Sequence, residues 1–195
     1  MQIIKTNRLK LRNFTATDAQ GFLEYAANPR VNCFLGDKVS TLEEAVLKIQ
    51  KRSCGDDSYL AVCLKESNAL IGELFYLQEE PDTFSIGWNF NAKYEGMGYA
   101  RESAEALFQY LFMQKEARRL YAYVEDDNVR SQKLCEKLGM RKEGCFIEFI
   151  SFTKYEDGTP KYDNTFQYAL LKKEWLGNGS NSNRIKSDSK INDLE

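Results

Sequence analysis

The chain has 195 residues, of which 43% are hydrophobic and 13% aromatic, and this is enough for one folded domain with a buried core. Its formal net charge of −2 gives no electrostatic footprint for nucleic acid and no basic surface for anionic lipid. The chain has no histidine, which excludes Ser–His–Asp and Cys–His nucleophile systems and histidine-ligated metals.

The cysteines and the hydropathy of the chain indicate its cellular compartment. The five cysteines are odd in number and contain no C-x-x-C pair, so reduced thiols fit better than disulfides or a zinc site. No apolar run approaches membrane-spanning length, and the N-terminus lacks a signal-peptide pattern. We therefore expect a cytoplasmic protein with no metal, no nucleic-acid partner and no membrane anchor. The cysteines are Cys33, Cys54, Cys63, Cys135 and Cys145.

The first part of the chain predicts short strands and two capped helices. Residues 8–12 alternate in hydropathy and predict a strand. Thr17-Asp18-Ala19-Gln20 resembles a capping box that opens a helix, and a second capping signal at 40–44 precedes another. Residues 59–64 and 70–77 predict two strands joined as a hairpin.

A glycine-rich turn follows, between a predicted strand at 84–90 and a predicted helix from near Gly98 to about Gln114. At such a turn, several backbone N–H groups have no helical partner and lie at the positive end of the helix dipole. Gly96 and Gly98 have no Cβ that would hold a ligand away from those donors. The turn therefore suits a pyrophosphate. Two glycines before a helix are also often only a loop, so the turn by itself leaves both interpretations open.

The second half of the chain predicts another strand at 119–124 and a helix that Gly139 caps at its C-terminus. Residues 140–152 and 164–171 predict the two last strands. Residues 177–195 contain almost no apolar side chain and predict a flexible polar tail.

These elements predict a single domain over residues 1–176 of the α/β class (mixed α+β). We expect a central mixed sheet of six to seven strands flanked by about four helices. The strand–helix–strand crossover at 84–124 should be parallel and right-handed. The turn at 95–100 and the loop at 125–128 should then meet at one edge of the sheet, where ligands of open α/β sheets bind.

Several motifs together resemble the GNAT superfamily of acyl-CoA N-acyltransferases, and within it the RimJ/RimL-type group. The likeness covers roughly residues 3–175. It implies the GNAT fold, acetyl-CoA as co-substrate and direct acetyl transfer to a primary amine of a protein or a small molecule. Hydrophobic strand edges are compatible with a homodimer. The motifs are the run Ile86 to Tyr110, Asn128-Val129-Arg130-Ser131, Glu136-Lys137-Leu138-Gly139-Met140 and Glu143-Gly144.

The resemblance implies that the turn holds the coenzyme A pyrophosphate and that the strand before it pairs with the pantetheine arm. A backbone N–H of that strand would face the thioester carbonyl, although Trp88 itself also fits a core position. The family pattern usually begins with Gln or Arg where this chain has Glu95, and we expect the anionic Glu95 to point outward. The implied coenzyme-binding residues are Trp88, Asn89, Phe90, Glu95, Gly96, Met97, Gly98, Tyr99, Ala100, Asn128 and Ser131.

Amide formation from an amine and a thioester needs a base, a stabilised oxyanion and a proton for the departing thiolate. Many GNAT members place a Tyr on the helix after the Asn loop as the acid, and the matching position here is Cys135. We favour Ser131 as the acid, with Cys135 as a packed thiol.

Asn128 lies beside the acid in the implied catalytic set, although its spacing also suits a helix N-cap. Glu73 and Glu148 are the candidate bases, with Glu148 slightly ahead. For each of these two glutamates, a solvated carboxylate that points outward and has no catalytic role is an equally good interpretation.

Two other functions are alternatives to an N-acetyltransferase. A catalytically silent GNAT fold would bind acyl-CoA as a sensor or interaction module. A nucleotide-binding protein would need a lysine and Ser/Thr after the glycines, which Gly98-Tyr99-Ala100-Arg101 lacks. The acceptor stays open between a protein N-terminus, a polyamine, an aminoglycoside and an amino acid.

Overall fold

The structure is a computed structural model that describes residues 3–53 and 58–177. Cys54 lies outside the described residues. Gly177, where the polar tail was predicted to begin, is the last residue of a short helix. The rest of the predicted tail, residues 178–195, lies outside the described residues.

The described residues form eight strands in one mixed sheet, with five α-helices and three short 3-10 helices. The 3-10 helices are Ala16–Asp18, Asn32–Asp37 and Ala92–Tyr94. In chain order the other elements are β1 (Ile4–Lys5), β2 (Leu9–Arg12), α1 (Ala19–Ala26), α2 (Leu42–Ser53), β3 (Tyr59–Leu64), β4 (Leu70–Glu79), β5 (Thr83–Phe90), α3 (Tyr99–Met113), β6 (Arg119–Glu125), α4 (Val129–Lys137), β7 (Arg141–Lys154), β8 (Pro160–Leu171) and α5 (Lys172–Gly177).

The predicted mixed α/β GNAT fold is confirmed, but the sheet has eight strands, one more than the upper end of the predicted six to seven. The strand that the sequence did not predict is β1, whose two residues are too few for any alternation to appear. The helix α5 was also missed, because six residues cannot display an amphipathic period. Gly139 does follow α4 with a φ of +79°, as predicted for a C-terminal cap.

The strands lie in the order β1-β2-β3-β4-β5-β6-β8-β7. Every neighbouring pair is antiparallel except β5 and β6, which are parallel and connected through α3. The predicted parallel pairing of β5 and β6 through a helical crossover is therefore confirmed. It brings the carboxyl ends of β5 and β6 and the N-terminus of α3 to the same edge of the sheet.

Each sheet face is covered by a different set of helices. The α3 face is the face covered by α3, α4 and α5, whose side chains share one core with Leu74, Phe84 and Leu120. On α3 itself the buried residues recur at helical spacing, so one stripe of the helix is apolar. The α1 face is the opposite face, where α1 and α2 pack over Ala61 and Cys63 in a second core. These two helices do not cover the β6–β8–β7 side of the α1 face, where the 3-10 helix Asn32–Asp37 contacts β7.

Candidate active site

The strands β5 and β6 separate toward their carboxyl ends. They are paired only where Thr83–Ser85 meets Arg119–Tyr121. On its other side β5 stays paired with β4 along its whole length, and β6 stays paired with β8 in the same way. Each antiparallel pair keeps its own twist, so the two pairs diverge and leave an opening.

A cleft of about 580 Å³ occupies this opening. It is lined by residues of β5, of the turn before α3, of the loop that begins α4, and of the segment after α1. Nine of the residues predicted to bind coenzyme lie together on its wall. They are Trp88, Asn89, Phe90, Glu95, Gly96, Gly98, Ala100, Asn128 and Ser131.

The turn before α3 has the backbone that its glycines predict. Gly96 and Gly98 have φ angles of +78° and +80°, a region that residues with a Cβ rarely adopt. A Cβ added at Gly96 would meet nothing within 4 Å, so the turn is open on that side. The first N–H groups of α3 have no partner within the helix and lie at its positive end. The cleft thus receives several unpaired donors at one point.

Two other predicted coenzyme residues, Met97 and Tyr99, lie outside the cleft wall. The Met97 carbonyl accepts a hydrogen bond from Arg8 Nη1 at 3.0 Å. The same guanidinium lies 4.5 Å from the centre of the Tyr99 ring and donates through Nε to Glu102 at 2.7 Å. Arg8 therefore holds the turn to β2 and α3 from behind, which fixes the direction in which its amides point.

The cleft is strongly cationic, a property not predicted from the sequence. Three of its cations, Arg130, Lys133 and Lys137, recur along one side of α4 at helical spacing, and this period was visible in the sequence. Arg30 comes from the segment after α1, and Arg101 comes from the first turn of α3. In a chain of net charge −2, these five cations and a single carboxylate make the cleft a site for an anion.

The single carboxylate is Glu95, which is half-exposed and lies between two of the arginines. One of its oxygens is 2.7 Å from Arg30 Nη1, and the other is 3.8 Å from Arg130 Nη1. The hydrogen bond to Arg30 keeps the pKa of Glu95 below its usual range. The Glu95 carboxylate is therefore ion-paired with Arg30 and Arg130 at the mouth of the cleft.

The backbone of β5 presents amides to the opening. One residue beyond β5, the N–H of Asn91 donates to the Ile71 carbonyl of β4 at 3.0 Å. Successive backbone amides of a strand face opposite sides, so those of Phe90 and Trp88 face β6. The two strands are no longer paired at this height. These amides therefore point into the cleft.

Ser131 and Asn128 meet Trp88 across the cleft. The Trp88 Nε1–H donates to Ser131 Oγ at 3.2 Å, and the Ser131 N–H donates to Asn128 Oδ1 at 3.2 Å. Asn128 is thus the N-cap of α4 and a wall of the cleft at the same time. Because Ser131 Oγ accepts from the indole, its own hydrogen is left to donate elsewhere.

Comparison with known proteins agrees with this geometry. Residues 8–141 match the family described as acetyltransferase (GNAT) domain. The chain belongs to the GNAT acetyltransferase family. The uncharacterized N-acetyltransferase YnaD of Bacillus subtilis is 33% identical over 173 residues, covering 88% of this chain and 98% of that protein. The uncharacterized N-acetyltransferase p20 of Bacillus licheniformis is 27% identical, covering 91% of this chain and all of that protein.

Solved structures show the same fold. The crystal structure of a GNAT-family acetyltransferase from Bacillus anthracis superimposes with a TM-score of 0.79 at 29% identity, covering 88% of this chain and 99% of that one. A GCN5-related N-acetyltransferase from Brucella melitensis has a TM-score of 0.76 at 21% identity, covering 90% of this chain and 80% of that one. In the part of the chain that the structure describes, no helix has the length and apolar character needed to cross a membrane.

Two candidate catalytic residues of this GNAT chain are buried away from the cleft wall. Glu73 on β4 is 1% exposed, and its Oε2 lies 2.5 Å from Nη1 of Arg52, which is also buried. Burial raises the pKa of Glu73 to about 7, and Arg52 opposes the rise. Cys135 on α4 is completely buried in the α3-face core. Burial raises the pKa of its thiol to about 12.

Glu148 is exposed on β7 and also lies outside the cleft wall. It occupies a bulge and has a φ of +49°, which is rare for a residue with a side chain. Its N–H donates to Asn164 Oδ1 at 2.9 Å, and Asn164 Nδ2 donates to Asp126 Oδ2 at 2.9 Å. This chain of hydrogen bonds ties the bulge to the loop between β6 and α4, which borders the cleft.

Proposed function

We propose that this GNAT acetyltransferase transfers an acetyl group directly from acetyl-CoA to a primary amine, on a protein N-terminus or a small molecule. The observation that carries the proposal is the cleft between β5 and β6, where unpaired backbone amides, five cations and the Ser131 hydroxyl converge. Acetyl-CoA is an anionic thioester, and this set of donors fits both its phosphates and its reacting carbonyl.

The turn before α3 is proposed to hold the coenzyme diphosphate. Gly96 and Gly98 leave its backbone open, and the N-terminus of α3 supplies N–H donors and a favourable dipole. Arg130 and Lys133 add charge from α4 on the opposite wall. Within this set only Glu95 opposes an anion, and its pairing with arginines weakens that opposition.

The unpaired backbone of β5 is proposed to bind the pantetheine arm in the manner of an added strand. The amide of Trp88 or of Phe90 would then face the thioester carbonyl. A fixed N–H donor aimed at a developing oxyanion lowers the barrier by about 3 kcal/mol. The carbonyl and amide groups of the arm would complete the ladder that β6 leaves open.

Ser131 is proposed as the group that protonates the departing thiolate. Its Oγ accepts a hydrogen bond from Trp88, which fixes the hydroxyl and leaves its proton directed elsewhere. Cys135 is a poorer acid because its thiol is fully buried and does not line the cleft. Asn128 is proposed to position Ser131 through its bond to the Ser131 amide.

Glu148 is proposed as the base that takes a proton from the amine, directly or through water. Its side chain is exposed, and its backbone is tied to the loop beside the cleft through Asn164. Glu73 is the weaker candidate, because it is sealed from solvent and held by Arg52. A base must reach the proton that it removes.

Three further assignments belong to this proposal. We place the protein in the RimJ/RimL-type group on the strength of its motifs from Ile86 to Gly144. We place it in the cytoplasm, since the cysteines of the described residues are free thiols. Ile147, which is 71% exposed on the edge strand β7, supports a homodimer formed through that edge.

A silent acyl-CoA-binding module is the second candidate. Two departures from the family pattern favour it, namely the carboxylate of Glu95 at the coenzyme turn and the thiol of Cys135 in place of a tyrosine. Such a module would bind acetyl-CoA tightly and release no thiol with any amine.

A screen of amines with acetyl-CoA, followed by release of free thiol, separates the two. We expect turnover with at least one amine and large losses of rate in Ser131→Ala and Glu148→Gln. Tight binding without turnover favours the module. Unchanged rates in both variants contradict the catalytic roles given to these two residues.

A further inference from the structure

Four aromatic rings form a continuous surface on the α1 face of the sheet. The aromatic platform consists of Tyr121 and Tyr123 on β6 and Phe146 and Phe149 on β7. Ring centres are 5.3 Å apart for the tyrosines, 5.0 Å for the phenylalanines, and 5.5 and 5.9 Å between Tyr123 and the phenylalanines. Tyr123, Phe146 and Phe149 are 46%, 38% and 47% exposed, so three large rings face solvent together.

The platform is a consequence of sheet alternation and of helix placement. Tyr121 and Tyr123 alternate along β6 with residues buried in the α3-face core, so they point to the α1 face. The helices α1 and α2 pack over β2, β3 and β4 on that face and do not reach β6. Tyr121 is buried at 8% exposure and the 3-10 helix Asn32–Asp37 contacts β7, but the other three rings stay partly open to solvent.

Phe149 reaches the platform only because β7 is irregular. Side chains three residues apart in a regular strand point to opposite faces, yet Phe146 and Phe149 touch on the same face. Between Phe146, which pairs with Thr165, and Ile150, which pairs with Asp163, β7 holds two extra residues. Bulges of this kind turn a side chain to a new direction and are common next to active sites.

The bulge is strained and specifically supported. Glu148 within it has a φ of +49°, a left-handed conformation that costs a residue with a Cβ about 1–2 kcal/mol. The Asn164 side chain accepts from the Glu148 amide at 2.9 Å and so satisfies the backbone donor that the irregular ladder leaves over. Strained residues that the surroundings hold in place are concentrated at functional sites. Here the left-handed Glu148 immediately precedes Phe149, in the bulge that brings Phe149 against Phe146.

The platform adjoins the opening in which the acetyl group would lie. Ser85 pairs with Tyr121 in the parallel register of β5 and β6, and two residues further on Tyr123 stands opposite Gly87, where pairing has ended. Gly87 points to the α1 face, where the Phe75 ring covers it: a Cβ there would meet Phe75 Cζ at 2.1 Å. Phe75 also packs against Phe34, which lines the cleft. A molecule lying on the exposed rings would therefore reach the opening past Phe75, at the carboxyl end of β6.

The charges around the platform are arranged along its length. At the end nearest the opening stand Glu125, the next residue of β6 on the same face, and Asp126, which is bonded to Asn164. At the far end the cation of Arg119 is neutralised by Glu143 at 2.5 Å. Glu79, which accepts a hydrogen bond from the Tyr121 hydroxyl at 2.5 Å, also lies at that far end. Carboxylates thus stand at both ends of the platform, and Glu125 and Asp126 are the ones that an amine reaching into the opening would meet.

We propose that the aromatic platform is the acceptor subsite, and that the acceptor is a small primary amine attached to an aromatic or bulky apolar group. The proposal rests on the proposed acetyltransferase function. A polyamine or an aminoglycoside carries several cations and little apolar surface, so it would leave the three exposed rings in water. An arylalkylamine covers the rings and places its amine beside Glu125 and the thioester.

The test uses thiol release from acetyl-CoA with 2-phenylethylamine, spermidine and kanamycin as acceptors. We expect 2-phenylethylamine to be acetylated with a KM at least tenfold lower than that of the other two. Phe149→Ala should raise this KM about tenfold and leave the Kd for acetyl-CoA unchanged. Phe146→Ala is a second variant with the same expectation, and both positions are exposed enough to spare the core. Tyr155→Ala, an exposed ring in the turn after β7, is the matched control and should change nothing.

Several outcomes would overturn the inference while the proposed function stands. One is efficient acetylation of spermidine or kanamycin without 2-phenylethylamine. Another is acetylation only of a peptide such as Phe-Gly-Gly, and a third is a KM that neither phenylalanine variant changes. A dimer in solution that Phe149→Ala converts to a monomer would assign the platform to a second copy of the chain. If acetyl-CoA is not bound at all in calorimetry, the proposed function itself fails.

Discussion

Glu95 Oε2 lies 2.7 Å from Arg30 Nη1, which joins the turn that opens α3 to the segment after α1 across the mouth of the cleft. The other oxygen of Glu95 faces Arg130 on α4 at 3.8 Å. A carboxylate thus occupies the place between two cations that a coenzyme phosphate would also seek. The two arginines offset the negative charge of this carboxylate, but a bound phosphate must compete with Glu95 for the same two guanidinium groups.

Replacing Glu95 by glutamine should therefore strengthen coenzyme binding. The change keeps the side-chain size and frees both arginines for phosphate, so we expect the Kd for acetyl-CoA to fall about threefold at low salt. The gain should shrink as salt rises, because exposed charges are screened. Calorimetric titration at two ionic strengths measures both effects.

Glu66→Gln is the control for net charge, since Glu66 lies in the turn between β3 and β4 and outside the cleft wall. It should leave the Kd unchanged. Weaker binding in Glu95→Gln would mean that the bridge orders the cleft for the coenzyme and does not compete with it.

Removal of the Ser131 hydroxyl should lower kcat with little effect on folding. Ser131 is only half-buried, and the hydrogen bond from its backbone N–H to Asn128 Oδ1 is retained in Ser131→Ala. The melting temperature should therefore stay within about 2 °C of the native value. Loss of a general acid should lower kcat about 100-fold, with the KM for acetyl-CoA nearly unchanged. Ser151→Ala deletes the same group on β7 and should be neutral. Equal rates in the two variants would remove Ser131 from the chemistry.

The buried carboxyl of Glu73 predicts a pH dependence of stability. Its folded pKa of about 7 lies above its ordinary value of 4.5, so between these values the folded chain binds the proton more tightly than the unfolded chain. This contribution is complete below pH 4.5 and is lost as pH rises through 7. It should reduce the free energy of unfolding by at most about 3 kcal/mol across this window.

Urea unfolding of the native protein and of Glu73→Gln at pH 5 and pH 8 measures this contribution. The native protein should lose stability between the two conditions, and the variant should lose about 2–3 kcal/mol less. The same slope in both proteins would show that Glu73 keeps its charge in the folded state.

Removal of Arg52 should destabilise the fold more strongly at high pH. Its guanidinium lies 2.5 Å from Glu73 and 4.6 Å from the centre of the Phe22 ring, and 4% of the side chain is exposed. Arg52→Met keeps the apolar stem but leaves Glu73 without its cation, at a cost of about 3–5 kcal/mol at pH 8. At pH 5 the carboxyl is protonated and the cost should be smaller. Equal losses at both values would assign the role of Arg52 to packing alone.

The parts of the site that depend on neighbouring residues were accessible from the sequence. The strand, turn and helix around Gly96 and Gly98 follow one another along the chain, and so do Asn128 and Ser131, so local patterns were enough. The crossover rule then placed them at one edge. This is why nine predicted coenzyme residues share one cleft.

The parts that depend on distant contacts were not accessible. Glu73 could not be known as buried, because the cation that holds it comes from Arg52 on α2. Arg30 reaches the cleft through the path of the chain after α1, which no periodicity indicates. The bulge at Glu148 depends on the pairing of β7 with β8 and on Asn164, so no local pattern indicates that Phe149 contacts Phe146.

Calorimetric titration of acetyl-CoA into the native protein, Gly96→Ala and Gly158→Ala tests the central claim most directly. Both glycines have strongly positive φ angles, and a Cβ added at either meets nothing within 4 Å, so both substitutions strain the backbone alike. Only Gly96 lies on the cleft wall. We predict binding by the native protein and by Gly158→Ala, and a Kd at least tenfold higher for Gly96→Ala. No binding by the native protein, or equal binding by all three, would contradict the claim that this turn holds the coenzyme diphosphate.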